Sequence, residues 1–252
     1  MPAGLAVAAV VLLTPLAGCA PAGTLTVYDA SDGTGGSGPS TSPVSPSPPA
    51  PGRTASAPQL LQRARDSFAG ASSVHVTGTA VHGADAYVLD VRLAGSKGGT
   101  ATIKASGQTV DVTRIGDVAY VSGDLPFWRS VVGDETRARQ MSGSWLRTPA
   151  AAPNFASFVQ FTQPSTYVAV LPDPGGPASV TGPATIRGVA VTGVRDGHGS
   201  TLYVATSAPG YPMRLDGLSG GKVVFLDFSD YGAAVPLRAP SAGATTAPGH
   251  GS

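Results

Sequence analysis

Asp196-Gly197-His198-Gly199-Ser200 gathers the residue types of a nucleophilic triad within five positions. A triad needs its groups delivered from separate segments, so that the side chains converge on one reacting atom. Neighbours set around two glycines predict a hairpin turn instead. Gly33-Thr34-Gly35-Gly36-Ser37-Gly38 has the glycine spacing of a dinucleotide-binding loop. Such a loop requires a strand before it and a helix after it, whereas a Pro/Ser-rich stretch follows here. The four histidines, His75, His82, His198 and His250, show neither H-x-H nor H-E-x-x-H spacing. Fourteen Asp and one Glu are scattered along the chain, and no G-x-S-x-G elbow occurs. The sequence thus predicts no catalytic residue, no metal site and no cofactor, and the expectation is a non-enzymatic protein.

Cys19 is the only cysteine, which excludes a disulfide framework and a cysteine-based zinc site. Its position is more informative than its number. Ala3 to Leu16 is apolar apart from Gly4, Thr14 and Pro15. That run is too short to span a bilayer but suits the apolar core of a signal peptide. It ends in Leu16-Ala17-Gly18-Cys19, which resembles the lipobox of bacterial lipoproteins. The resemblance implies cleavage between Gly18 and Cys19 and transfer of a diacylglyceryl group to Cys19. Two acyl chains give stable membrane attachment where one gives marginal binding. The expected location is the extracytoplasmic face of the cell membrane, with the lipid on Cys19 as the membrane contact. No Lys or Arg precedes the apolar run, a departure from the usual signal peptide.

Composition separates the rest of the chain into a leash and a domain. Gly 34 and Pro 23 together approach a quarter of the 252 residues, about twice ordinary usage. Within 31–57, Gly, Pro, Ser and Thr fill 21 of 27 positions. Such a stretch cannot bury enough surface to offset its chain entropy. The expected organisation is therefore a signal peptide at 1–18, a lipidated N-terminus and disordered tether at 19–57, a folded domain at 58–238 and a disordered tail at 239–252. The tether spans roughly 35 Å as a random coil and roughly 120 Å if drawn out as polyproline II. A net charge of +1 announces no polyanion-binding surface, so no nucleic-acid partner is expected.

Inside the domain, Ser56-Ala57-Pro58-Gln59 predicts a capped helix start. Leu60, Ala64, Phe68 and Ala71 then give an apolar stripe for a helix closing at Gly70. The period next changes to two. Val74–Thr79, Tyr87–Leu93, Thr100–Ala105, Thr109–Thr113 and Val118–Val121 predict an antiparallel meander. Residues 134–141 predict a short polar helix. Asn154 is placed to cap a helix carrying Phe155, Phe158, Val159 and Phe161 before Pro164, and 167–171 fits either helix or strand. Strands resume at Val189–Val194, Leu202–Thr206, Met213–Leu215 and Val223–Phe228. Strands, a helical insert and further strands predict an α+β domain built on a curved antiparallel sheet with helices on one face.

Several short segments of this domain resemble the actinobacterial LppX/LprG-type lipoproteins, whose domain is similar to the periplasmic carrier LolA. They include Ile115-Gly116-Asp117-Val118-Ala119-Tyr120-Val121, Ser144-Trp145-Leu146, Gly210-Tyr211-Pro212-Met213-Arg214-Leu215 and Phe228-Ser229-Asp230-Tyr231-Gly232. The resemblance implies a half-open antiparallel β-barrel with helices over its concave face. It also implies an apolar cavity for the acyl chains of an envelope lipid or lipoglycan. Leu89, Val91, Leu93, Ile103, Tyr120, Trp145, Phe155, Phe158 and Phe161 are the candidate lining residues. An envelope sensor or scaffold using the same domain to contact another protein is the second expectation. Residues of these types also make an ordinary dry core.

Overall fold

The computed structural model describes residues 55–82, 85–219, 222–241 and 245–246. The leader, the Gly18–Cys19 cleavage point, the glycine loop at 33–38, the tether to Thr54 and the residues from Ala247 onward lie outside the described residues.

Helix α1 (Ala57–Ala69) starts as its sequence predicts. The Ser56 amide donates to the Gln59 side chain at 3.0 Å, and Pro58 occupies the first turn. Leu60, Ala64 and Phe68 form the buried stripe, joined by Leu61. The Gly70 amide closes the helix on the Asp66 carbonyl at 2.9 Å.

The five predicted strands follow as β1 (Val74–His82), β2 (Asp85–Leu93), β3 (Gly98–Ala105), β4 (Gln108–Ile115) and β5 (Val118–Gly123). Each pairs antiparallel with the next. β6 (Trp145–Pro149) extends this half. A second meander contains β7 (Ala178–Ile186), β8 (Val189–Asp196), β9 (Thr201–Ala205), β10 (Pro212–Ser219) and β11 (Lys222–Ser229). β1 pairs with β11 and joins the halves. β12 (Thr245–Thr246), inside the segment read from sequence as a tail, pairs in parallel with β6. The sheet runs β12-β6-β5-β4-β3-β2-β1-β11-β10-β9-β8-β7 and does not close. This is the curved, unclosed antiparallel sheet with helices that the sequence predicts.

Register explains why one face is apolar. Phe228, Val76, Val91, Ala101, Val112, Val121 and Leu146 are successive cross-strand partners on seven strands, and all are buried. One residue along, the partners are Tyr203, Arg214, Asp227, Thr77, Asp90, Thr102, Asp111 and Ser122. Because strand side chains alternate between faces, these two rows belong to opposite sides of the sheet. Gly78 permits the β1–β11 crossing, since a Cβ there would collide with the Phe225 carbonyl.

The apolar side is covered by α1 and by short helices inserted around β6. These are α2 (Leu125–Val132), α3 (Glu135–Met141), α4 (Ala156–Val159) and α5 (Pro164–Val170), with a 3-10 turn at Gln160–Thr162. The predicted polar helix is α3. Residues 167–171 are helical up to Val170, within α5. Asn154 does not cap α4: the chain turns at Phe155, whose carbonyl accepts the Val159 amide at 2.9 Å. The helix predicted before Pro164 stops there: α4 runs on into the 3-10 turn, and Gln163 leaves helical geometry before Pro164 opens α5.

The strands β6 and β12 are absent from the sequence reading, and so are α2 and β7. In α2, Asp124 caps the Phe127 amide at 2.9 Å, Pro126 lies in the first turn and Gly133 ends the helix in a left-handed conformation. β7 is an edge strand largely exposed on both faces, which tolerates Pro183 and Gly182 and leaves no alternation to read.

Candidate ligand-binding site

Small residues on the sheet create the space that the insert fills. At Gly99 a Cβ would sit 2.8 Å from the Arg92 carbonyl and 3.3 Å from the Thr162 carbonyl. At Gly123 it would collide with the Phe127 ring. The 3-10 turn and α2 therefore rest directly on strand backbone. Ala101 and Ala119 keep the same face shallow between them.

Aromatic rings from the insert occupy this shallow face. Phe127 meets Trp128 at 4.9 Å and Phe158 at 5.5 Å, both edge-on, and Trp128 meets Phe155 at 6.2 Å. Edge-to-face pairs of this kind contribute about 0.5–1.5 kcal/mol each beyond their buried area. Trp128 is fully buried, and its Nε1 is the only buried side-chain N or O among the described residues without a hydrogen-bond partner. Beneath α1, Phe68 contacts Phe228 at 5.5 Å and Tyr167 at 6.4 Å. Burial pushes the Tyr167 and Tyr231 hydroxyls well above the ordinary phenol range. Tyr167 donates to the Phe161 carbonyl at 3.0 Å and Tyr231 to the Pro212 carbonyl at 2.7 Å.

The margin of the covered face is a half-buried seam. Tyr87 on β2 faces Phe161 at 6.0 Å, both half-buried, while the half-buried Phe158 packs on Phe127. Partial burial raises the Tyr87 hydroxyl, with a smaller contribution from Asp85. Arg114 pins the insert to the sheet beside Gly99. Its Nε donates to Thr162 Oγ1 at 3.0 Å, Nη2 to the Thr162 carbonyl at 2.9 Å, and Nη1 to the Gly116 carbonyl at 3.2 Å. Burial lowers the Arg114 guanidinium, and Asp117 opposes that shift. Arg65 performs a similar task for α1, donating to the Leu171 carbonyl at 2.7 Å.

The structure sorts the candidate lining residues into three groups. Leu89, Val91, Leu93, Ile103 and Phe155 are buried between sheet and helices. Phe158 and Phe161 are half-buried, Phe161 at the seam with Tyr87. Tyr120 and Trp145 are not on this side at all. Tyr120 is the partner of Thr113 and Arg147, one residue out of phase with the Val112–Val121–Leu146 row, and Trp145 precedes Leu146. Both therefore belong to the outer face and line nothing beneath the helices. Phe127 and Trp128 were missed, although Asp124, Pro126 and Gly133 form a readable start-and-stop signal for their helix.

The remaining chemical candidates resolve into structure. Asp196 Oδ1 accepts the amides of His198 at 2.9 Å and Ser200 at 2.8 Å, which builds the β8–β9 hairpin turn. His75 lies on the outer face between Asp90 at 2.8 Å and Asp230 at 3.3 Å. No group of three or more His, Cys, Asp or Glu suited to a metal occurs among the described residues. No helix among them is long and apolar enough to cross a membrane. An open groove along α1 is lined by Gln59, Gln62, Arg63, Asp66, Ser67 and Pro209, and by none of the seam residues.

No family model and no curated protein matches the sequence. The chain is similar to solved structures at low identity. LprF from Mycobacterium bovis aligns at 16% identity and a TM-score of 0.46, over 73% of this chain and 97% of that one. The lipoprotein LppX from Mycobacterium tuberculosis aligns at 16% identity and a TM-score of 0.46, over 72% and 98%. A LolA superfamily protein from Nitrosomonas europaea aligns at 14% identity and a TM-score of 0.25, over 73% and 96%.

Proposed function

We propose that this chain is an LppX/LprG-type envelope lipoprotein, anchored through a diacylglyceryl group on Cys19, that takes up acyl chains of a lipid or lipoglycan without chemical conversion. The observation that carries the reading is the layer over the apolar face. Helices of four to eight residues cover β2–β5, held by side chains such as Arg114 and by ring contacts rather than by strand pairing. A layer of that construction separates from a sheet at far lower cost than a strand does. The half-buried seam at Tyr87 and Phe161 gives an apolar chain its point of entry.

The energetics give such a protein a task. Exposing two sixteen-carbon chains to water costs about 0.8 kcal/mol per methylene, on the order of 25 kcal/mol in all. Taken as a barrier, that makes spontaneous escape from a bilayer a matter of weeks. A face lined by Leu89, Val91, Leu93, Ile103, Phe155, Phe158 and Phe161 removes most of that cost. The tether between Cys19 and Ala57 lets the domain reach lipid beyond its own anchor point.

The test is stoichiometric uptake. Mature protein purified from its own membrane and stripped of lipid is expected to bind a dansylated fatty acid saturably, near one per chain, and to carry co-purified lipid in native mass spectra before stripping. A protein that binds none and arrives without lipid sinks the carrier reading. Globomycin is expected to leave an uncleaved precursor, and a mature chain that still begins at Met1 removes the anchor.

A further inference from the structure

Trp128 is the polar member of a ring cluster. Phe127, Phe155 and Phe158 supply its other rings, and phenylalanine would fill an interior position without adding a donor. Buried indoles ordinarily find an acceptor for their N–H, and an unsatisfied buried donor is costly enough to be rare. Trp128 is 0% exposed and its Nε1 has no partner among the described residues. The acceptor that suits it is constrained by its neighbours. A buried water needs two to four polar partners, and the rings packed on Trp128 offer none. A carbonyl carried on an acyl chain needs only one donor and brings its own apolar covering.

We propose that Nε1–H of Trp128 donates to the ester carbonyl of an acyl chain lodged between α2, α4 and the sheet, so that the protein selects acyl esters over bare hydrocarbon. The inference rests on the acyl-binding reading above and adds to it a position and a selectivity. Trp128 lies one turn into α2, whose Asp124 cap is also bonded to the Thr109 amide of β4 at 2.8 Å. The donor is thereby fixed to the rim of the sheet, and the ester end of the ligand is placed at β4–β5.

Full-length protein carrying Trp145→Phe leaves Trp128 as the only tryptophan. Methyl palmitate and heptadecane, each delivered from cyclodextrin, compete against a bound dansylated fatty acid. Methyl palmitate is expected to move the indole N–H proton resonance of Trp128 downfield, and heptadecane to leave it in place. Adding Trp128→Phe is expected to weaken methyl palmitate by about five- to tenfold, the loss of one neutral hydrogen bond, and to leave heptadecane unchanged. If Trp128→Phe fails to fold, the resonance shift in the Trp145→Phe protein decides alone. Equal effects on the two probes, or an indole N–H that keeps a water cross-peak with methyl palmitate bound, overturn the assignment while uptake stands. If the dansylated fatty acid itself does not bind, the carrier reading fails instead.

Discussion

Two rows of the sheet, one residue apart, have opposite characters. The Val76–Val91–Ala101–Val112–Val121 row is buried under helices, whereas Thr77, Asp90, Thr102, Asp111 and Ser122 form the next row on the outer face. The strands are shared, so backbone propensity cannot separate them. The difference lies in what each row meets. The inner row meets rings, and the guanidinium of Arg114 on the same strand is occupied by Thr162 and Gly116. The outer row meets its own cross-strand partners, as in the 2.6 Å bond from Thr102 Oγ1 to Asp111 Oδ1. A sheet with one such face fixes its register strongly, because a slip of one residue exchanges the rows.

The sharpest way to break this contrast is to exchange polarity at two adjacent residues of β4. Val112→Asp puts an unpaired carboxylate where the side chain is 1% exposed. A loss of about 3–5 kcal/mol is expected, a large part of a domain's total stability. Asp111→Val removes only the Thr102 bond at a half-buried position and is expected to cost under about 1 kcal/mol. Urea midpoints by circular dichroism measure both. Equal midpoints would mean that the two faces are not distinguished as described.

The insert gives the next largest effect. Arg114→Met keeps the length of the side chain and removes three donors, two of them to Thr162. Hydrogen bonds from a charged group are worth about 1.5–3 kcal/mol when buried, so about 2 kcal/mol is expected at this part-exposed site. Hydrogen exchange should localise the loss to 155–171 and leave β1–β3 protected. Uniform loss of protection would show that the helices and the sheet are one cooperative unit, and would remove the separable layer from the functional reading.

The same contrast explains what was legible in the sequence. β1 to β5 show period-two alternation because one face is buried along much of their length, so burial left its mark on residue type. β7 is exposed on both faces and carries Gly182 and Pro183, so it left none. Tyr120 sits between Ala119 and Val121, three apolar residues in a row. Only the pairing of Val121 with Val112 and Leu146 decides which of the three face the helices. Trp145 fails for the same reason: its type suggests an interior, and its register puts it outside. The aromatic insert was half legible. Phe155, Phe158 and Phe161 stood out by spacing, while Phe127 and Trp128 are adjacent in a helix too short to show a stripe. Gly99 and Gly123 left no such signal, because a glycine that serves as a socket for the insert has no side chain to mark it.

The smallest expected effect comes from the polar exterior, and it tests whether charge there stabilises the fold at all. Glu135, the only glutamate, accepts two bonds from Arg129 and one from Arg139 on the surface of α2 and α3. The bond from Arg129 is the largest cause that lowers its carboxyl from the ordinary 4.5 to about 2. A depressed carboxylate contributes stability that is fully present above the ordinary value and is lost as pH falls through the folded one. The difference in melting temperature between wild type and Glu135→Gln should therefore be constant above about pH 5 and vanish between 4.5 and 2. Because both partners are solvated, that difference should be small and should shrink in 0.5 M salt. A Glu135 carboxyl carbon that titrates by NMR near 4.5 would mean that the pair does not form in solution. The outer face would then be soluble polar cover and nothing more, and the fold would rest entirely on the inner row.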